Sequence, residues 1–388
     1  MGDINFTALP PLTLYIHIPW CVKKCPYCDF NSHVAGKKIP EERYIDVLLA
    51  DIESELAGVW GRTVESIFIG GGTPSLFSAP AIDRLLSGLR TRLPLKPGLE
   101  ITLEANPGAI DQERFDGFRK SGINRLSIGV QSFQNTKLQA LGRIHNSTDA
   151  LFAMKTARAA GFDNINLDLM FGLPDQTTED ALQDLEQAMA LNPAHISWYQ
   201  LTLEPNTLFY QQRPILPDQD TLWDMQISGQ NQLARQGYEQ YEVSAYAKKS
   251  QRCHHNENYW EFGDYIGIGA GAHGKISDAA SQSVRRTIKQ RHPTKYLEAN
   301  QEQRTSSSRL VSSQELVFEY ALNRFRLTDP IQPDEFSMAT GLPDTDFQSS
   351  LQTAIDMGFL TDEKDGIVTT RHGHRFLDDL VAVFLQDA

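Results

Sequence analysis

The chain is poor in cysteine, with four among 388 residues, which excludes a disulfide framework and suggests a reducing compartment. Positive charge is in short supply too. The 36 Lys and Arg face 49 Asp and Glu, for a net charge of −13 and a pI near 5.2. That balance argues against nucleic acid as the main partner and reads as a solvated acidic surface. No stretch approaches the ~18 uninterrupted apolar residues of a membrane span. Met1–Pro10 shows neither a basic region nor a long apolar run. The expectation is a cytoplasmic protein with no integral membrane segment, for which peripheral docking on a membrane protein stays open.

Three of the four cysteines, Cys21, Cys25 and Cys28, fall within eight residues as C-x3-C-x2-C. One tight loop thus supplies three thiolates, one fewer than a closed zinc site or a cubane cluster normally takes. Three ligands to a four-iron cluster leave one iron open, and an open metal position signals chemistry. A zinc knuckle completed by His17 or His33 is the alternative that the spacing also allows.

The length suggests one large domain and a smaller one. Strand patterns at Leu12–Pro19, Val64–Gly70, Leu99–Glu104, Arg125–Gly129, Asn164–Met170 and His195–Leu203 alternate with helical ones. The helices are expected at Pro40–Trp60, Pro80–Leu93, Asp111–Gly122, Thr148–Gly161 and Thr178–Leu191. This is an α/β order, and six βα units suit a partial (βα)6 barrel with its site at the C-terminal ends of the strands. Beyond Pro205 the rhythm changes: a helix is expected over Pro217–Tyr238, then a His-, Asn- and aromatic-rich run over Cys253–Gly274. Gln301–Ser308 reads as a linker. Ser313–Ala388 reads as a small, mainly helical, winged-helix-like unit, with helices at Glu315–Arg324 and Thr345–Met357. A hairpin within Gly358–Thr370 and a closing helix at Gly373–Leu385 complete it. It has no basic recognition stripe, so packing or partner docking is its expected role. The divisions are residues 1–240 for the barrel, 241–300 for an extension and 309–388 for the C-terminal domain.

Each strand end carries a distinctive group. Gly70-Gly71-Gly72-Thr73-Pro74 is a turn whose bare backbone lets a ligand approach N–H and C=O closely. Glu104 and Gln131 each end an apolar strand and Asp168 is a lone acid within one, where a polar group needs a partner. Singly, each is equally a satisfied core residue; successive strands delivering one apiece point to a site. Arg143, whose guanidinium forks onto carboxylates, is a candidate clamp.

Taken together, these motifs resemble those of a radical S-adenosylmethionine (SAM) protein. More narrowly, Tyr15-Ile-His-Ile-Pro, Gly70–Pro74, Arg125–Phe133 and Asp168–Pro174 resemble the oxygen-independent coproporphyrinogen III oxidase family, from about Leu12 to at least Gly274. The resemblance implies that Cys21, Cys25 and Cys28 hold a 4Fe–4S cluster whose fourth iron is chelated by SAM. It implies that Arg143 pairs with the SAM carboxylate, while Gly71, Gly72 and Thr73 line the methionine moiety with Glu104 nearby. Gln131 and Asp168 would bond the ribose hydroxyls, and Tyr15 and Tyr27 would flank the cluster and adenine. In that chemistry one electron cleaves an S–C bond of SAM, and the protein orients the cofactors and keeps water out.

Two departures separate this chain from the oxidase. Phe30 stands where the oxidase has a fourth cysteine, and only twenty residues precede Cys21, too few for the oxidase's N-terminal segment. Both match the HemW-type haem chaperones, as does Cys253-His-His-Asn-Glu-Asn-Tyr-Trp260. That resemblance implies haem as cargo and haem-accepting proteins, respiratory haemoproteins among them, as partners. His255 is the first candidate haem ligand, because imidazole is the commonest neutral one. Cys253 and His254 compete, and a purely loop-ordering role for Asn256, Tyr259 and His255 is the alternative. Decarboxylation of coproporphyrinogen III is the competing activity.

Overall fold

The strand and helix patterns fold as parallel βα units in a computed structural model that describes residues 2–109 and 111–385. The strands are β1 (Leu12–Ile18), β2 (Val64–Gly71), β3 (Leu95–Ala105), β4 (Arg125–Gln131), β5 (Asn164–Phe171) and β6 (His195–Gln200). Between them run α1 (Glu41–Glu55), α2 (Ala79–Arg90), α3 (Gln112–Ser121), α4 (Ser147–Ala159) and α5 (Thr178–Ala190). The six strands lie in sequence order, each parallel to the next. Side chains alternate across a strand, so Ile16, Ile69, Leu103, Ile128, Leu167 and Ile196 share the outer face and are fully buried beneath the helices. The inner face is polar: Thr102, Arg125, Ser127, Asn166, His195 and Ser197 are all buried there. Two-sided apolar burial is the usual state of parallel strands. The strict alternation here therefore marks an interior built around polar groups.

Both edges of the sheet are extended. On one side β6 pairs with β8 (Ala245–Ala247), which pairs with β7 (Glu239–Glu242). On the other, β9 (Asp264–Ile268) pairs in parallel with β1, and β10 (His273–Asp278), β11 (Ser283–Lys289) and β12 (Thr305–Leu310) follow antiparallel. The result is a 12-stranded sheet. Residue 240 falls inside β7, so the first expected boundary cuts a strand of this sheet. The expected linker at Gln301–Ser308 is a correction as well, since its second half enters β12. An edge strand needs only backbone hydrogen bonds, and its side chains here face water, so its composition reads as a loop. Helix α6 (Gln219–Arg235) follows β6, and the short α7 (His254–Trp260) covers the N-terminal ends of the barrel strands.

The C-terminal unit contains α8 (Ser313–Arg324), α9 (Thr345–Asp356) and a hairpin of β13 (Leu360–Glu363) and β14 (Gly366–Thr369). The expected closing helix is two, α10 (Arg371–Arg375) and α11 (Leu377–Ala382), because Phe376 between them is non-helical (φ −116°, ψ 49°). Leu316, Tyr320, Phe325, Phe347 and Phe384 form a second core, joined by Phe6 from the N-terminal segment. The Gly2 N–H donates to Asp346 and the Asn5 N–H to the Gly341 carbonyl, so the first residues pack with the C-terminal unit. Among the described residues no helix is long and apolar enough to cross a membrane.

A buried ionic knot ties the extension to the barrel. The Asp264 carboxylate, fully buried, receives Lys275 Nζ at 3.0 Å, Arg62 Nη1 at 2.8 Å, and the N–H and hydroxyl of Ser277 at 2.9 Å. Removing one partner of such a group strands the others in low dielectric. Asp264→Ala is expected to cost about 3–5 kcal/mol of unfolding free energy, measured as a lowered denaturant midpoint. An unchanged midpoint would show that Lys275 reaches water.

Candidate cofactor site

The C-terminal ends of the strands open into a cavity of about 350 Å³. Its wall brings together eleven of the thirteen expected site residues: Cys21, Cys25, Tyr27, Cys28, Gly71, Gly72, Thr73, Glu104, Gln131, Arg143 and Asp168. All three cysteines are free and half-buried. Burial raises the pKa of the Cys21 and Cys28 thiols, the direction that a metal reverses when it takes a thiolate. His17 is no ligand to a zinc knuckle. Its Nδ1 meets the Tyr15 hydroxyl at 2.8 Å, its Nε2 meets the Asn31 carbonyl at 2.9 Å, and burial lowers its pKa to about 4.

Arg143 joins the cavity's parts. Its Nη1 donates to Cys25 Sγ at 3.7 Å, and its Nη2 to Asn106 Oδ1 at 2.6 Å and the Gly129 carbonyl at 2.8 Å. Its Nε is buried without a partner, an orphan donor at a site expected to hold a carboxylate. Asn106 in turn donates to Thr73 Oγ1 at 2.7 Å. Sequence reasoning passed over Asn106; its only signal was a polar residue between a strand end and Pro107.

The glycine turn must stay bare. A Cβ on Gly72 would lie 2.6 Å from the Trp20 carbonyl oxygen and 3.0 Å from Cys21 Sγ. Gly71 has φ +122°, a conformation side chains rarely adopt, and its N–H donates to Glu104 Oε2 at 3.0 Å. Burial, then the nearby Asp168 charge, raises the Glu104 pKa to about 8. Asp168 accepts from Ser127 Oγ at 2.9 Å and Asn166 Nδ2 at 2.8 Å, yet burial still raises its pKa. Ser127 and Asn166 were also missed, although each interrupts an apolar strand on its inner face. Gln131 holds a left-handed backbone (φ 63°) where β4 ends, which turns the chain into the cavity wall. Met170, Tyr199, Phe30 and Lys23 also line the cavity.

Two expected residues lie elsewhere. Tyr15 packs its ring against Phe68 and His255, both at 6.3 Å, one layer below the cavity. His255 is 7% exposed, with Nδ1 3.3 Å from Ser66 Oγ and its ring 5.2 Å from Phe68. Burial lowers its pKa to about 3. Cys253 is wholly enclosed beside Glu100, and burial pushes its thiol up to about 12. The His-Asn-x-x-Tyr-Trp run therefore plugs the closed end of the barrel. In this arrangement His255 is enclosed and stands apart from the cavity that collects the other expected site residues.

Three free thiols on one cavity, an orphan guanidinium donor and a wall that tolerates only glycine fit a 4Fe–4S cluster with SAM. This combination on a parallel barrel defines a radical SAM protein. The Radical SAM superfamily description matches residues 15–188, and that of the HemN C-terminal domain matches 311–376. Heme chaperone HemW of Escherichia coli K12 is 51% identical over 379 residues, spanning 98% of this chain and 99% of that one. The Haemophilus influenzae protein of the same name is 48% identical over 98% of this chain and 99% of its own length, and the Bacillus subtilis one 32% over 96% and 98%. The structure of coproporphyrinogen III oxidase (HemN) from Escherichia coli superposes with a TM-score of 0.81 at 24% identity, covering 97% of this chain and 90% of that one. The chain belongs to the HemW family.

A lysine cannot reproduce the planar fork of Arg143. Arg143→Lys is expected to weaken SAM binding at least tenfold by calorimetry, with cluster iron retained; unchanged affinity would mean the carboxylate is held elsewhere. Glu104 gives a pH signature. Its folded pKa lies above the unfolded one, so the folded state holds an extra proton and loses stability as pH rises from about 5 to 8. Glu104→Gln is expected to remove about 3 kcal/mol of that fall in denaturant titrations across this range. An equal slope in both proteins would exclude Glu104 as its source.

Proposed function

We propose that this chain is a haem chaperone: it binds haem and passes it to acceptor haemoproteins while carrying a 4Fe–4S cluster and SAM on its barrel. The observation that carries this reading is the 51% identity to Heme chaperone HemW of Escherichia coli, which runs essentially end to end in both chains. A local feature supports it. Phe30, two residues after Cys28, lines the cavity mouth and is 61% exposed, where the resemblance gives the oxidase a fourth thiol. The likeness to the oxidase at 24% identity concerns the fold.

In this reading Cys21, Cys25 and Cys28 ligate the cluster, and Arg143 takes the carboxylate of SAM. Gly71, Gly72 and Thr73 line its methionine part with Glu104 beside it, and Gln131 and Asp168 hold the ribose. Tyr27 flanks the cluster. Together the cofactors supply one-electron cleavage of a sulfonium–carbon bond. The residues of the chain bind and orient them: the two acids, with Arg143, suit a ligand carrying a sulfonium, an ammonium and a carboxylate. The reading also places the protein in the cytoplasm, with respiratory haemoproteins as acceptors and residues 309–388 as the unit that meets them.

Anaerobic titration of the reconstituted protein with haem tests the proposal. Saturation near one haem per chain, followed by transfer to an apo-haemoprotein, is expected. Absence of saturable binding together with turnover of coproporphyrinogen III would replace the proposal with the oxidase activity. Cys25→Ala is expected to lose cluster iron and sulfide; a full cluster in that variant would overturn the ligand assignment.

A further inference from the structure

Haem iron needs an imidazole or thiolate that a porphyrin can reach, and burial removes five of the fourteen present. His17, His145, His195, His255 and Cys253 are enclosed. Cys21, Cys25 and Cys28 face a cavity of about 350 Å³, room for one small ligand and not for a porphyrin beside it. Among the described residues one pair of histidine rings packs together and stays open to solvent. His33, half-exposed, and His292, exposed, have ring centroids 5.2 Å apart at an interplanar angle of 69°. His33 belongs to the two-residue strand that pairs with Trp20–Cys21, so the pair sits on the outer edge of the cluster loop.

The His33 ring has two partners, the Arg291 carbonyl and the Asn31 side chain. Its Nε2 faces Asn31 Oδ1 at 3.4 Å. The Asn31 amide cannot flip to help, because its Nδ2 already donates to the Ala270 and Arg291 carbonyls at 2.8 Å each. A neutral imidazole donates once and keeps a lone pair on its other nitrogen. Without a porphyrin a metal ion needs three or more protein ligands, and among the described residues no such group is gathered around His33 and His292. Haem iron brings four nitrogens of its own and needs only one or two more.

The surroundings suit the rest of the molecule. Phe30 and Val34, each 61% exposed, offer apolar surface next to His33 in sequence. Lys23, Lys24, Lys37 and Lys38 face a single acid, Asp29, between Val22 and Lys38, in a chain whose net charge is −13. A dianionic, flat, apolar ligand matches that local reversal of charge.

We propose that haem is held on this outer edge, with His33 as axial ligand and His292 as the imidazole beside it. Phe30 then packs on the porphyrin, and Lys37 and Lys38 supply positive charge for the propionates. The inference rests on the haem-chaperone reading and names the site of its cargo.

The test titrates haemin into the cluster-reconstituted full chain, comparing wild type, the double variant His33→Ala/His292→Ala, and His254→Ala as the rival exposed ligand. The double variant is expected to bind at least tenfold more weakly and to lose the nitrogen-ligated Soret band. Its cluster iron and SAM affinity should be unchanged, and His254→Ala should match wild type. Equal affinity and spectrum in wild type and double variant would overturn the site and leave the chaperone reading standing. No saturable binding by wild type would overturn both. Should the double variant lose its cluster, His292→Ala alone decides, since that side chain is exposed. A threefold or greater loss with an altered Soret band is then expected, and no change would overturn the site.

Discussion

The guanidinium of Arg143 holds the open end of the barrel together. Its contacts reach Cys25 in the cluster loop, Asn106 after β3 and the Gly129 carbonyl in β4, and Asn106 continues to Thr73 after β2. Four segments far apart in sequence are thus placed by one chain of hydrogen bonds. A planar donor with fixed directions transmits position in a way a flexible ammonium would not. The cluster loop, the glycine turn and the strand ends are therefore set relative to each other before any cofactor arrives. That is preorganisation of the first contact shell on rigid elements.

Below this layer the barrel is polar to its base. Asp168 is held by Asn166, whose Oδ1 meets His195 Nδ1 at 2.7 Å, and His195 Nε2 meets the Tyr241 hydroxyl at 2.9 Å. That hydroxyl accepts the Cys253 N–H at 3.2 Å, and Cys253 heads α7. A network of this kind is stable only if its members are satisfied and water is shut out. The plug formed by α7 does that, which explains why His255 is inside. There its ring packs against Phe68, 5.2 Å away.

Much of this was legible in order along the chain. The six parallel strands follow from period-two apolar patterns separated by amphipathic helices, and Glu104, Gln131 and Asp168 stood out because each interrupts or closes an apolar run. Asn106 gave almost no signal, since its role depends on a guanidinium 37 residues away. Ser127 and Asn166 were visible as interruptions, but their purpose needs the register that sets Ser127 opposite Asn166 and Glu104 opposite Ser127. Gln301–Ser308 misled because an edge strand is specified by its partner's backbone, and composition does not record it. The membership of Phe6 in the C-terminal core was hidden for a related reason: the chain returns to it after more than 300 residues, as the Gly2–Asp346 contact shows.

By itself the sequence determined the cluster-loop thiols, the βα order and the set of polar groups at the strand ends, because each is written in local spacing and periodicity. Only the tertiary structure decided which polar groups meet and which histidines face solvent. His255 and His33 look equally free in the sequence, and what separates them is three-dimensional. One is packed against Phe68 behind α7, and the other stands open beside His292. Burial depends on which distant segments come to rest on a residue, and no local pattern carries that information.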